Sequence, residues 1–492
     1  MQIVRRLKAL SEFLSSHDGN LQKKTVRSGV LVGFNSVIIN SLGFIRTIIL
    51  ARLLAPEVFG LMSICLIVVK AAEIFTETGF GAALIHRKDH FEASRDTAFT
   101  MSIIRGCVLA ISVFFLSPLI AAYYDNILLE DLIKVAALIL FFHGTQNINI
   151  IAFQKELDFR RIAVLELTRA ASAFLLLVGL AYYLGNIWSL VIGYVAVAAV
   201  DSVLTYIIIP GRPRIRFKLS TARELFAYGK YITGLSIVVF IAAELDNLVI
   251  GKVLGMEMLG FYVIAFTLAN LPTTHISKVT SRVMFPSYSK LQDDPHALRE
   301  AYLKVLKLVA SISIPAGAGL AVLSLEIVSV LYGERWAYSA GPLRILCVYG
   351  CIMAIMSLNG YIFNAIGKPN IPFYFNAARL VLIAILIYPM TAWLGLYGAA
   401  IAVTLPLALQ FASITFVFAR TLGLEVMRIV KILSYVLFST LVMILVLMLY
   451  RKVVHHADIY TLALGIAIGI STYAALNARD LRSIFARRIL NH

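Results

Sequence analysis

Long apolar runs of about twenty residues alternate with short polar or basic breaks along almost the whole chain. A run of that length crosses a hydrocarbon core of roughly 30 Å as one helix, and a helix satisfies its own backbone polar groups there. Fourteen runs can be marked, near residues 27–52, 59–83, 97–122, 131–153, 162–184, 187–209, 226–251, 259–284, 304–331, 340–365, 371–393, 396–419, 430–450 and 458–477. The pattern predicts an all-α integral membrane protein with about 14 transmembrane helices. Its expected organisation is a basic amphipathic N-terminus (1–26), a first six-helix lobe (27–209), a basic connector (210–225), a second six-helix lobe (226–419), two C-terminal helices (420–478) and a basic tail (479–492).

The two lobes are expected to be pseudo-symmetric, because the chain echoes itself. Ala51-Arg-Leu-Leu-Ala-Pro-Glu-Val-Phe-Gly60-Leu61 returns as Gly251-Lys-Val-Leu-Gly-Met-Glu-Met-Leu-Gly260-Phe261, and the stretch from Arg169 to Gly185 returns from Arg379 to Gly395. The offsets are 200 and 210, which an insertion near Ser289 to Arg299 reconciles. Six spans per copy is an even number, so both copies face the same way, with a substrate path expected between them.

Composition sharpens the class. The chain is 60% hydrophobic and 14% charged, with a mean hydropathy of +0.86, leaving too little polar surface for a soluble protein of 492 residues. The net charge of +17 does not form a nucleic-acid stripe. Its cations sit in alternate loops: Arg87, Lys88 and Arg95, then Lys155, Arg160 and Arg161, then Arg212, Arg214, Arg216 and Lys218, then Arg479 to Arg488. By the positive-inside rule that side is cytoplasmic and both termini lie on it. Trp188, Trp336 and Trp393 fall at span ends on the other side, where indoles favour the interface. Arg451 and Lys452 are exceptions to the charge rule. The ends, residues 1–14 and 481–489, have the pattern of helices lying on a membrane surface or of ordinary solvated ends with no role in transport, and Asp294-Pro295 reads as a cap and first helical residue. The four cysteines, Cys65, Cys107, Cys347 and Cys351, all lie inside apolar runs and read as packing residues. Neither a metal site, a phosphate-binding glycine loop nor a catalytic constellation is evident, so no cofactor and no enzymatic role are expected.

Ionisable residues within apolar spans carry the functional argument, since each costs about 2.5–3.5 kcal/mol at a helix centre by insertion scales. The candidate substrate-binding cations are Arg46, Arg169, Arg379, Arg105 and Arg344. Arg169 and Arg379 occupy matching repeat positions, and two guanidiniums can grip a diphosphate bidentately. An intrahelical pair of Arg169 with Glu166, or snorkelling of both arginines, explains them equally simply. The candidate coupling or gating residues are Glu77, Glu244 and Asp246. Asp246 lies 200 residues after Arg46, the right offset for a bridge between lobes or for a fixed structural pair. Glu73 and Glu77 are spaced i, i+4, with Lys70 three residues before Glu73, which favours one local ion pair and one free carboxylate. His143 and His275 are further groups able to titrate.

Several segments together resemble a known family. They are Ala51 to Leu61, Gly79-Phe-Gly-Ala-Ala-Leu-Ile-His-Arg87, Gln154-Lys-Glu-Leu-Asp-Phe159, Arg282-Val-Met-Phe-Pro286 with Ser289-Lys-Leu-Gln-Asp-Asp294, and Tyr332-Gly-Glu-Arg-Trp336. In order and spacing the chain resembles the Wzx-type polysaccharide flippases, particularly the colanic acid exporter group, of the multidrug/oligosaccharidyl-lipid/polysaccharide superfamily. The resemblance implies a twelve-helix core with two added helices and a central cationic cavity exposed alternately to the two sides. It implies as cargo an undecaprenyl-diphosphate-linked oligosaccharide flipped across the bacterial inner membrane for exopolysaccharide or lipopolysaccharide synthesis. Membrane lipids and the polysaccharide polymerase or export machinery would be partners. The alternatives are an ion-coupled multidrug cation antiporter, which would want dominant acids in the cavity, and a membrane polysaccharide polymerase, which would want a large extramembrane loop.

Overall fold

The computed structural model describes residues 21–76, 91–155, 159–272, 294–366, 368, 370–454 and 458–478. Among the described residues all regular structure is helical. In chain order the α-helices are α1 (Leu21–Leu53), α2 (Pro56–Phe75), α3 (Phe91–Tyr123), α4 (Ile127–Ala136), α5 (Leu138–Gly144), α6 (Ile150–Lys155), α7 (Phe159–Leu184), α8 (Ile187–Ile208), α9 (Leu219–Val253) and α10 (Met256–Ala269). They continue as α11 (Pro295–Val322), α12 (Ser324–Tyr332), α13 (Ala340–Ala365), α14 (Asn370–Leu422), α15 (Val426–Val453) and α16 (Ile459–Leu476), with a 3-10 turn at Glu334–Ser339. Ten helices in the described residues are long and apolar enough to cross a membrane. The amphipathic ends, Glu77, His275 and the segment 79–87 lie outside the described residues.

Helix starts follow local chemistry. Asp294 caps α11 by accepting from the backbone N–H of His296 and Ala297, with Pro295 in the first turn, as its sequence requires. Asn126 and Asn186 cap α4 and α8 in the same way. Asp458 and Thr461 form a reciprocal capping box on α16.

Departures from the expected spans include the fourth run and the eleventh and twelfth. The fourth is not one helix but three short ones, α4 to α6. Its polar stretch Thr145-Gln-Asn-Ile-Asn149 finds partners elsewhere: Asn147 N–H donates to Thr205 Oγ1 at 2.9 Å, and Tyr206 donates to the Thr145 carbonyl at 2.8 Å. With those groups satisfied from α8, the segment can leave the helix without stranding its backbone. The eleventh and twelfth runs join as α14, interrupted by non-helical backbone at Gly395 (φ 59°, ψ −138°). Gly185, its repeat partner, follows α7 with φ 60°, so the sequence repeat reappears as a shared positive φ that glycine adopts readily.

The chain forms two compact units, one of residues Met1–Leu53 with Cys65–Ile237, the other of Leu54–Ile64 with Val238–His492. In the first, α7 packs along α1 and α8, and α3 along α4 and α5. In the second, α13 packs on α10, α11 and α14, while α15 joins α11 and α16. The two copies of the 200-residue echo meet inside the second unit. A Cβ on Gly60 would lie 1.8 Å from the Met256 carbonyl oxygen, and one on Gly260 1.9 Å from that of Pro56. The crossing is reciprocal and backbone to backbone, the close approach that small residues permit between membrane helices.

Trp336 corrects an expectation. It is fully buried instead of interfacial, with Phe59 and Phe261 edge-on at 5.1 and 5.9 Å between ring centres. The 3-10 turn tucks the indole inward against both repeat copies, and aromatic packing outweighs the interface preference there. Trp393 stays 84% exposed. Arg451, the exception to the charge rule, is ion-paired with Glu326 and also donates to the Val322 carbonyl at 2.9 Å, tying α15 to α11 and α12.

Candidate functional site: a polar centre in each unit

In the first unit polar groups gather where the fourth run breaks. Arg169 on α7 is ion-paired with Asp201 on α8, not with Glu166. Gln146, in the break, donates to the other Asp201 oxygen at 3.0 Å, and Thr145 and Ser202 hydroxyls lie 2.9 Å apart. Beside them Glu73 meets His143 at the end of α5, across 70 residues of sequence, so Glu73 has a partner beyond its own helix and Lys70. Breaks of this kind recur at the binding sites of transporters built from repeats. The helix ends, the guanidinium and two carboxylates gather in one part of the unit. One Arg169 terminal nitrogen is still buried without a hydrogen-bond partner.

In the second unit the polar groups come from four helices. Asp246 on α9 is 4% exposed and accepts from the Tyr262 hydroxyl of α10 at 2.8 Å and from the Asn247 N–H at 2.9 Å. Asn247 in turn donates to Glu244 at 2.9 Å. Tyr349 on α13 packs against Phe266 of α10 at 5.5 Å between ring centres. Arg379 has no carboxylate among the described residues. One terminal nitrogen faces the Met353 sulfur at 3.8 Å, and its Nε is buried with no partner. Asn376, one turn earlier, accepts from Gln410 at 3.2 Å, and Gln410 Oε1 and Asn359 Nδ2 are likewise buried without partners. A buried polar group left unmatched costs about 1–3 kcal/mol, so each of these groups gains from a ligand or water that supplies its missing partner.

The remaining candidates are placed less tellingly. Arg46 on α1 is half-buried and in no ion pair among the described residues, while Asp246, its expected counterpart, is held by Tyr262 in the second unit. Arg105 is half-buried on α3. Arg344 is exposed and donates to Ser324 at 2.9 Å, which ties α13 to the start of α12.

Nothing local in the sequence singles out Asp201 and Tyr262 as partners. The repeat holds a signal for both. Asp201 maps to Phe411, an apolar residue, and Tyr262 maps back to Met62. A polar residue in one copy facing an apolar one in the other marks where the copies have diverged chemically.

Residues 49–340, more than half of the chain, match the family model described as "Polysaccharide biosynthesis protein". The chain belongs to that family. It is similar to the "Lipopolysaccharide biosynthesis protein WzxC" of Escherichia coli (strain K12), 29% identical over 395 residues and 78% of each chain. It is also similar to an "Uncharacterized membrane protein in cps region" of Klebsiella pneumoniae, 27% identical over 92% of this chain and 94% of that one. Among solved structures it is similar to "Lipid II flippase MurJ, inward closed conformation", with a TM-score of 0.75 at 16% identity over 93% of this chain and all of the other. At that identity the likeness establishes the fold, and this member of the family shares it.

Proposed function

We infer that this protein flips lipid-linked oligosaccharide, specifically undecaprenyl-diphosphate-linked repeat units, across the bacterial inner membrane for exopolysaccharide or lipopolysaccharide synthesis. Family membership and the likeness to a lipid II flippase support the class of cargo. The observation that carries the chemistry is Arg379, a guanidinium among apolar helices with a buried Nε that the protein leaves unmatched. A diphosphate supplies the missing acceptors and two negative charges, and guanidinium binds such oxygens in a forked geometry. The prenyl chain stays in lipid while the sugar head follows a polar path opened alternately to either side. The loop charges support a cytoplasmic side for both termini, and the polymerase is the natural recipient of the flipped product.

Asp246 is the carboxylate proposed for ion coupling. Among the described residues it is the acid most shielded from water, and its described contacts are hydroxyl and amide donors rather than a cation. Such a carboxylate is stabilised by binding a proton or small cation.

The test has two parts. Deletion is expected to accumulate an undecaprenyl-diphosphate-linked oligosaccharide in the cytoplasmic leaflet, and purified protein in vesicles should move that lipid to the opposite leaflet. Accumulation of a water-soluble sugar, or vesicles that export cationic drugs and leave the lipid in place, would reject the reading.

A further inference from the structure

The basic connector Gly211-Arg-Pro-Arg-Ile-Arg-Phe-Lys218 is anchored on the first unit along its length. Asn147 Nδ2 donates to the Gly211 carbonyl at 2.9 Å and lies 3.3 Å from that of Ile209. The Arg214 N–H donates to Asp96 Oδ1 at 3.1 Å. The Arg216 N–H donates to the Thr100 hydroxyl at 3.0 Å, and the Arg216 carbonyl lies 3.0 Å from that same hydroxyl. Asp96 and Thr100 are one turn apart on α3 and both are buried. Bonds from residues 214 and 216 to one helix, with 215 skipped, are the spacing of an extended chain.

Extension sorts the side chains by parity. Arg212, Arg214, Arg216 and Lys218 fall on one face, all exposed and none in an ion pair among the described residues. Pro213, Ile215 and Phe217 fall on the other, with Ile215 77% and Phe217 53% exposed. The stretch follows α8, which is long and apolar enough to cross a membrane, so it emerges at a membrane face. Four cations at alternate positions are about 6.5 Å apart and together span roughly 20 Å.

We propose that this connector is a membrane-surface strap, in which Arg212, Arg214, Arg216 and Lys218 bind anionic phospholipid headgroups and Ile215 and Phe217 enter the apolar edge of the same leaflet. A row of that length spans several headgroups, whereas one diphosphate reaches only two neighbouring side chains. Exposed apolar groups beside unpaired cations are the composition of elements that lie in the interface. The buried Asp96 and Thr100 hold the row in order beforehand, so less conformational freedom is lost on binding than in a free basic loop. The strap acts whatever the cargo and does not rest on the transport reading.

Native mass spectrometry of the full-length protein, titrated with phosphatidylglycerol or phosphatidylcholine, tests it. The wild type is expected to retain several-fold more phosphatidylglycerol. Replacing the row together (Arg212→Gln, Arg214→Gln, Arg216→Gln and Lys218→Gln) should remove most of that excess, and Arg212→Lys with Arg214→Lys and Arg216→Lys should keep it. Thr100→Val leaves every charge in place but unpins the strap, so the excess should fall at least twofold. Should the quadruple variant not yield folded protein, Arg214→Gln alone is expected to lower the excess measurably. An unchanged excess in the neutralised variants overturns the proposal, and an unchanged excess in Thr100→Val overturns the role of the anchor. Displacement of phosphatidylglycerol by equimolar undecaprenyl phosphate would assign the row to cargo and overturn its assignment to the lipid surface.

Discussion

Arg169 and Arg379 stand at matching positions of the two repeat copies, yet the structure gives them different chemistry. Arg169 faces Asp201, which Gln146 also holds, so its charge is cancelled within the first unit. Among the described residues of the second unit no carboxylate pairs with Arg379: Phe411 stands at the position that corresponds to Asp201, and the amides Gln410 and Asn376 bond to each other instead. A duplicated arginine is thus ion-paired in one copy and has no carboxylate partner among the described residues in the other. In place of the symmetric two-arginine grip that the repeat points to, we propose an asymmetric one centred on Arg379.

The largest expected effect separates the two arginines. Arg379→Ala should lower lipid-linked oligosaccharide flipping tenfold or more, about the value of a charged hydrogen bond or two, with membrane insertion intact. A polysaccharide-production assay beside an immunoblot measures this, and full production would sink the assignment. Asn376→Asp would make the second unit imitate the first by placing a carboxylate three residues from Arg379 on the same helix face. Flipping should then drop several-fold while folded yield holds, and undiminished flipping would mean that the cation's freedom is irrelevant.

Arg169→Ala is expected to act chiefly on stability, by about 1.5–3 kcal/mol, because it strands Asp201. The paired change Arg169→Gln with Asp201→Asn should recover much of the lost thermal stability in detergent. If the pair melts no higher than Arg169→Ala, the two side chains are not coupled. Gly60→Ala pushes a methyl group into the Met256 carbonyl and should cost about 1–3 kcal/mol, with Gly260→Ala similar by reciprocity. A smaller effect is expected from Asp246→Asn, which should leave lipid exchange without a gradient near wild type and abolish its stimulation by an imposed ion gradient. Persistent stimulation would move the coupling site elsewhere.

Much of the fold was legible because apolar run length is a one-dimensional property. The tenth run, 340–365, coincides with α13, and the division expected between 393 and 396 falls on Gly395. The fourth run reads as one span because averaged hydropathy hides a polar break whose partners, Thr205 and Tyr206, are some sixty residues away. Trp336 differs for a related reason: position in a span does not reveal whether an aromatic cage awaits the side chain. At the site, the arginines were legible as charges in costly places, but their state was not. Glu166, near in sequence, is not the partner of Arg169, while Asp201, 32 residues on, is.

From the amino-acid order alone came the membrane, the helical class, the duplication and the presence of charges that lipid would reject, because each follows from local composition, spacing or internal likeness. Tertiary packing alone decided which of those charges are cancelled and which are left over. Ion pairing depends on which side chains from different helices come within a few ångströms, and equal positions in a repeat do not ensure equal neighbours.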